Sequence, residues 1–155
     1  MFSISFTDEP LDRPYDDESI AAQSGLIILG NTLQGFSANL GRWEKTTYEQ
    51  QWLRELRSLV EGRERVALIV DFYDENTNLE IWTFFRVDEL VYVQNQLFFG
   101  TLLPLQFPIL QISDFLTEHE SLSSDGHAIS EWTISIRDIE LFLRRVKIPL
   151  ISHIP

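Results

Sequence analysis

Alternation comes first along the chain: Phe2, Ile4 and Phe6 alternate with two serines, which predicts a strand over residues 2–6. Residues 8–24 are acidic and carry Pro10 and Pro14, and they read as a loop. Leu26 to Leu29 is a short β-type run between Gly25 and Gly30, and the polar stretch 31–40 fits no period. A helix follows. Thr46 and Glu49 have capping-box spacing, and Tyr48, Trp52, Leu53, Leu56, Leu59 and Val60 form one stripe. Gly62 supplies the stop, while Arg54, Glu55 and Arg57 are placed on the solvent side.

A β-meander is predicted next, with strands over 66–73, 79–87 and 90–99, joined by turns at 74–78 and at Asp88-Glu89. Its strands carry apolar residues on both faces, so the sheet must be covered on both sides. Pro108 opens a helix to about residue 118; 121–126 is a loop; 127–134 is a strand with Trp132 and Ile134 inward. Ser135 caps a last helix whose final turn holds Arg144, Arg145 and Lys147. The apolar tail 147–155 either packs on the domain or adds an edge strand. No repeat or low-complexity segment breaks the chain, and its 155 residues fit a single domain over 1–155.

Charge changes the picture. The net charge is −12, from 24 acids and 12 bases, and it is uneven. Between Val66 and Ile136 eleven acids face a single base, Arg86, and Asp8, Glu9, Asp12, Asp16, Asp17 and Glu18 face only Arg13. Such a field repels phosphate backbones and draws cationic partners, although solubility alone accounts for many acidic surfaces. With no cysteine, disulfides, thiolate–zinc sites and cysteine nucleophiles are excluded. The N-terminus lacks a basic region ahead of a long apolar run, and no apolar stretch is long enough to span a bilayer. A cytoplasmic protein is expected.

Catalytic chemistry is thinly supported. No Gly-rich phosphate loop, G-x-S-x-G elbow or H-E-x-x-H helix occurs. His119 and His127, with neighbouring acids and Glu131, fit a solvated loop better than a metal site, so no metal and no cofactor is expected. Asp71 is the one acid set in an apolar strand, where burial would raise its pKa; it is read instead as outward-facing near a turn. Basic stripes with interleaved aromatics are absent, so nucleic-acid binding is not expected.

Two segments carry a more specific signal. Val91-Tyr92-Val93-Gln94-Asn95 precedes an apolar run, and Asp125-Gly126-x-x-Ile129-Ser130-Glu131-Trp132 precedes the last helix. With Trp43, Tyr48 and Trp52-Leu53 before them and Phe107-Pro108 between, the order resembles the immunity proteins of bacterial contact-dependent growth inhibition, the CdiI type. The resemblance covers roughly residues 40–146; the first 40 residues and the tail depart from it. It implies an α+β fold of mainly antiparallel sheet, similar to Whirly-type domains, here with five to seven strands and about three helices.

It also implies a non-catalytic antidote that binds the C-terminal toxin domain of a cognate effector, with a basic nuclease as the expected toxin class. The candidate contact residues are Asp74, Glu75, Glu80, Asp88, Glu89, Asp125 and Glu131, acids on turns and strand ends suited to a basic surface. Tyr92, Asn95, Gly126 and Trp132 are read as structural: core, strand pairing and turn. Two rival readings are an acidic adaptor for another basic protein, and more remotely an enzyme working through paired carboxylates.

Overall fold

The computed structural model describes residues 1–13, 20–73, 78–99, 109–123 and 125–146. In chain order these form β1 (Phe2–Arg13), β2 (Ile20–Leu29), β3 (Thr32–Asn39), α1 (Lys45–Val60), β4 (Arg65–Phe72), β5 (Leu79–Val87) and β6 (Leu90–Phe98). A 3₁₀ helix (Ile109–Phe115), β7 (Glu131–Ser135) and α2 (Ile136–Arg145) complete them. The strands make two antiparallel sheets, β1-β2-β3 and β4-β5-β6-β7. The α+β class, the antiparallel pairing and the three helices are as the sequence predicts.

The expected loop over 8–24 is corrected at 8–13 and 20–24; residues 14–19 lie outside the described residues. β1 runs to Arg13 and β2 begins at Ile20, and the two pair from Pro10↔Gln23 to Arg13↔Ile20 after a register shift that follows Phe6. Pro10 is tolerated because β1 is an edge strand of the three-stranded sheet among the described residues, and an edge strand can do without one donor. Residues 31–40, which show no period, contribute β3, joined to β2 by the two-residue turn Gly30-Asn31. Gly30 sits at φ +66, which an L side chain rarely adopts, and first-position glycine suits a tight hairpin. Gly25, read as the boundary before the Leu26–Leu29 run, lies inside β2 opposite Phe6 and Phe36.

α1 begins earlier than its pattern suggests. Glu44 is the N-cap and makes no side-chain cap bond, so the expected Thr46–Glu49 capping box falls within the first turn and does not cap. Glu55, placed on the solvent side, is buried instead. Arg54 is exposed as expected. At the other end Gly62, with φ +121, follows the last turn as a stop.

Both faces of the four-stranded sheet are covered, as its double-sided apolar strands require. Phe84 meets Phe2 of the first sheet edge-on, with ring centroids 5.7 Å apart. Its neighbour Phe85, on the opposite face, meets His119 at 5.1 Å in the segment beyond the 3₁₀ helix. Around Phe2, Trp52, Leu56, Leu68 and Phe84 the core is continuous between the sheets and helices. The predicted helix over 109–118 is a shorter 3₁₀ element, and Pro108 lies outside the described residues. Likewise β7 starts only at Glu131. Ahead of it Leu122 and Ala128 pair in an isolated antiparallel bridge. Ser135 caps α2 in a full capping box with Asp138, as predicted for the cap.

Candidate functional site

Of the seven candidate acids, Asp74 and Glu75 lie outside the described residues. The other five do not converge on one point. Glu80, in β5, accepts hydrogen bonds from the Tyr73 hydroxyl at 3.2 Å and from Asn95 Nδ2 at 3.0 Å. Glu131, at the start of β7, faces His119 Nε2 at 2.6 Å and accepts from Gln94 Nε2 at 2.7 Å. These two carboxylates are engaged by their own protein. Asp125 is exposed in the turn before Gly126, and the Ser123 hydroxyl on its carboxylate holds its pKa below the usual value. His127 is 3.9 Å from the other oxygen of Asp125.

Asp88 and Glu89 form the two-residue turn between β5 and β6, both exposed, with Asp88 at φ +55. Aspartate is among the few non-glycine residues that tolerate this region. The turn is anchored on three sides. Arg86 Nε donates to Asp88 O at 2.9 Å, Ile136 N donates to Glu89 O at 2.9 Å, and Arg86 N donates to Glu64 O at 2.8 Å. Arg86 Nη1 also reaches the Leu59 and Val60 carbonyls, each at 2.9 Å, where it meets the negative end of α1. The single base of the acidic stretch thus joins the helix end to the turn.

Beside this turn lies an open groove of about 710 Å³. One wall is the α1–β4 connection with Arg63, Glu64 and Arg65; another is the end of β5 with Asp88 and Glu89; Glu118 and His119 close it. Arg63 is matched by Asp114 and, at 4.0 Å, by Glu55. Glu64 and Glu118, absent from the expected set, face the same space as Asp88 and Glu89. The sequence does place Glu64 just past the Gly62 stop, but only the fold brings β4 and residue 118 beside the β5–β6 turn.

Two buried acids were read wrongly from sequence. Asp71 is buried, not outward, and its Oδ1 accepts from Asn39 N and Phe72 N, both at 2.9 Å. It ties β3 to β4, a role that strand alternation cannot reveal. Glu55 has its pKa raised by burial, partly offset by Arg63, Arg54 and a hydrogen bond from Ser113. Neither lies in the groove.

Tyr92, Asn95 and Trp132 sit at separate places in the second sheet, and Gly126 lies in the segment before β7. Tyr92 stacks on the His119 ring at 4.8 Å and 13°, Asn95 Nδ2 also donates to Ile81 O, and Trp132 lies 5.4 Å from Trp82. Gly126 adopts φ +86. Among the described residues no group of three or more His, Asp or Glu is placed to hold a metal ion, and no helix is long and apolar enough to cross a membrane.

Comparison with known proteins gives three concordant findings. The model of a family described as the CdiI N-terminal domain matches residues 38–142. A curated relative, the immunity protein CdiI of Enterobacter cloacae subsp. cloacae, is 28% identical over 145 residues, covering 90% of this chain and 94% of the relative. A chain of the solved CdiA-CT/CdiI toxin and immunity complex from Enterobacter cloacae superposes with a TM-score of 0.81 at 25% identity. That match covers 93% of this chain and 97% of the other.

Proposed function

The chain belongs to the CdiI N-terminal domain family, and on that premise we propose that it is an immunity protein that binds and neutralises the toxin domain of a cognate effector. The supporting observation is the likeness, over nearly the whole of both chains, to a component of a toxin and immunity complex. Function then follows from occupation of the toxin surface, without turnover by the immunity protein itself.

The toxin is a basic nuclease in this reading, met in the cytoplasm. A nuclease carries lysine and arginine to hold phosphates, so an inhibitor gains from an acidic face. Steering between opposite fields can raise association to about 10⁸–10⁹ M⁻¹s⁻¹, which favours capture before damage. A net charge of −12 repels nucleic acid and attracts such a domain. Within the candidate set Asp88, Glu89 and Asp125 are the exposed described members, and they lead the proposed contact residues. Asp74 and Glu75 remain proposed contacts from sequence. Glu80 and Glu131 follow, since each would have to exchange an internal hydrogen bond for a toxin contact.

Co-expression tests the proposal. The C-terminal domain of the effector encoded beside this chain is induced in bacteria with and without it, and growth is scored. Restored growth, with the two proteins co-purifying, is the expected result. A domain that stays lethal in the presence of folded, abundant chain overturns it.

A further inference from the structure

We propose that the groove beside the β5–β6 turn receives an arginine- or lysine-bearing segment of the toxin domain, an inference that rests on the toxin-binding reading above. The groove is concave, about 710 Å³, and large enough for more than one side chain. Its charge balance favours a cation. Arg63 is paired with Asp114 and Glu55, and Arg86 is hydrogen-bonded to the carbonyl end of α1 without a carboxylate partner. Arg65 and Arg86 therefore stand against the four carboxylates of Glu64, Asp88, Glu89 and Glu118, none of which takes part in an ion pair among the described residues, and negative charge is in excess.

The walls are also held in advance of binding. Arg86 bonds through its side chain to α1 and to Asp88 O, and its backbone N–H donates to Glu64 O. Glu89 O is fixed by the first residue of α2. The backbone beneath Glu64, Asp88 and Glu89 is thus fixed before a ligand arrives, which lowers the ordering cost of binding. Phe85 and His119, whose rings are 5.1 Å apart, add aromatic surface to the lining. A guanidinium, planar and with five donors, suits carboxylates beside rings better than a neutral side chain does.

The test uses the full chain and the effector's C-terminal domain. Affinity and dissociation rate are measured for wild type and for a groove variant carrying Glu64→Gln, Asp88→Asn, Glu89→Gln and Glu118→Gln. A control variant of equal charge change carries Asp8→Asn on β1, Glu44→Gln at the N-cap of α1, Glu49→Gln on α1 and Glu140→Gln on α2. The groove variant is expected to bind at least about 30-fold more weakly, and the control within about threefold, because specific docking depends on place and not on total charge. Hydrogen exchange on the wild-type complex adds a readout that needs no variant, with protection expected at residues 86–90 and 116–119.

Equal losses in both variants, or tight wild-type binding with an unaffected groove variant and no protection there, overturn the groove while leaving toxin binding intact. Failure of the wild-type chain to bind the domain at all instead removes the reading beneath it.

Discussion

Phe36 lies over Gly25 so closely that its ring fills the space a β-carbon would need. This contact explains a glycine inside a strand, where the residue otherwise weakens pairing. Gly25→Ala is expected to destabilise the fold by about 1–3 kcal/mol, the usual cost of overpacking, as read from urea denaturation. Glu55 is the opposite case, a residue whose charged form the fold disfavours. Burial raises its pKa above the ordinary value of 4.5, so ionisation at neutral pH costs stability, and protonation restores it as pH falls through the raised folded-state value. Glu55→Gln should therefore raise the Tm at pH 7 by about 2–4 °C for each kcal/mol recovered, a gain that shrinks toward pH 4.5. A gain that instead grows on acidification contradicts the assignment. Neither residue was legible beforehand: pattern shows which faces are apolar, not which acid is closed over or which ring covers a glycine.

At the scale of elements, the edge of β4 that has no strand partner in the four-stranded sheet is buried under helix side chains. Gln51 of α1 donates to Ala67 O at 2.9 Å and accepts from Ile69 N at 3.0 Å, as a neighbouring strand would. Trp52 Nε1 donates to Ile69 O at 2.7 Å, and Ser113 Oγ accepts from Ala67 N at 2.9 Å. Gln51→Leu keeps the volume but leaves two buried backbone groups without this partner, and a loss of about 2–4 kcal/mol in urea denaturation is expected. The elements with strong periods were readable: α1, the β4–β6 meander and α2 stand where apolar spacing puts them. β1 and β2 were only partly so, because Pro10 and the acids of residues 8–12 look like a loop until pairing with β2 supplies backbone bonds there. The short Gly30-Asn31 turn was a usable hairpin signal for β3. For the groove the sequence offered one turn of two acids; Glu64 and Glu118 joined it only through tertiary packing.

For the whole molecule, the account depends on a negative surface meeting a positive one. The family model covers residues 38–142, close to the stretch that carries the sequence resemblance. A charge change at the anchored turn should expose the electrostatic part. Asp88→Asn, which keeps a residue type that tolerates φ +55, with Glu89→Lys is expected to slow association about tenfold at low salt and to flatten its dependence on ionic strength, with little change in fold. The most direct measurement is stopped-flow association of the wild-type chain with the effector's C-terminal toxin domain across a series of salt concentrations. The account predicts a rapid rate that falls steeply as salt is added. A rate indifferent to salt, or no association, would contradict it.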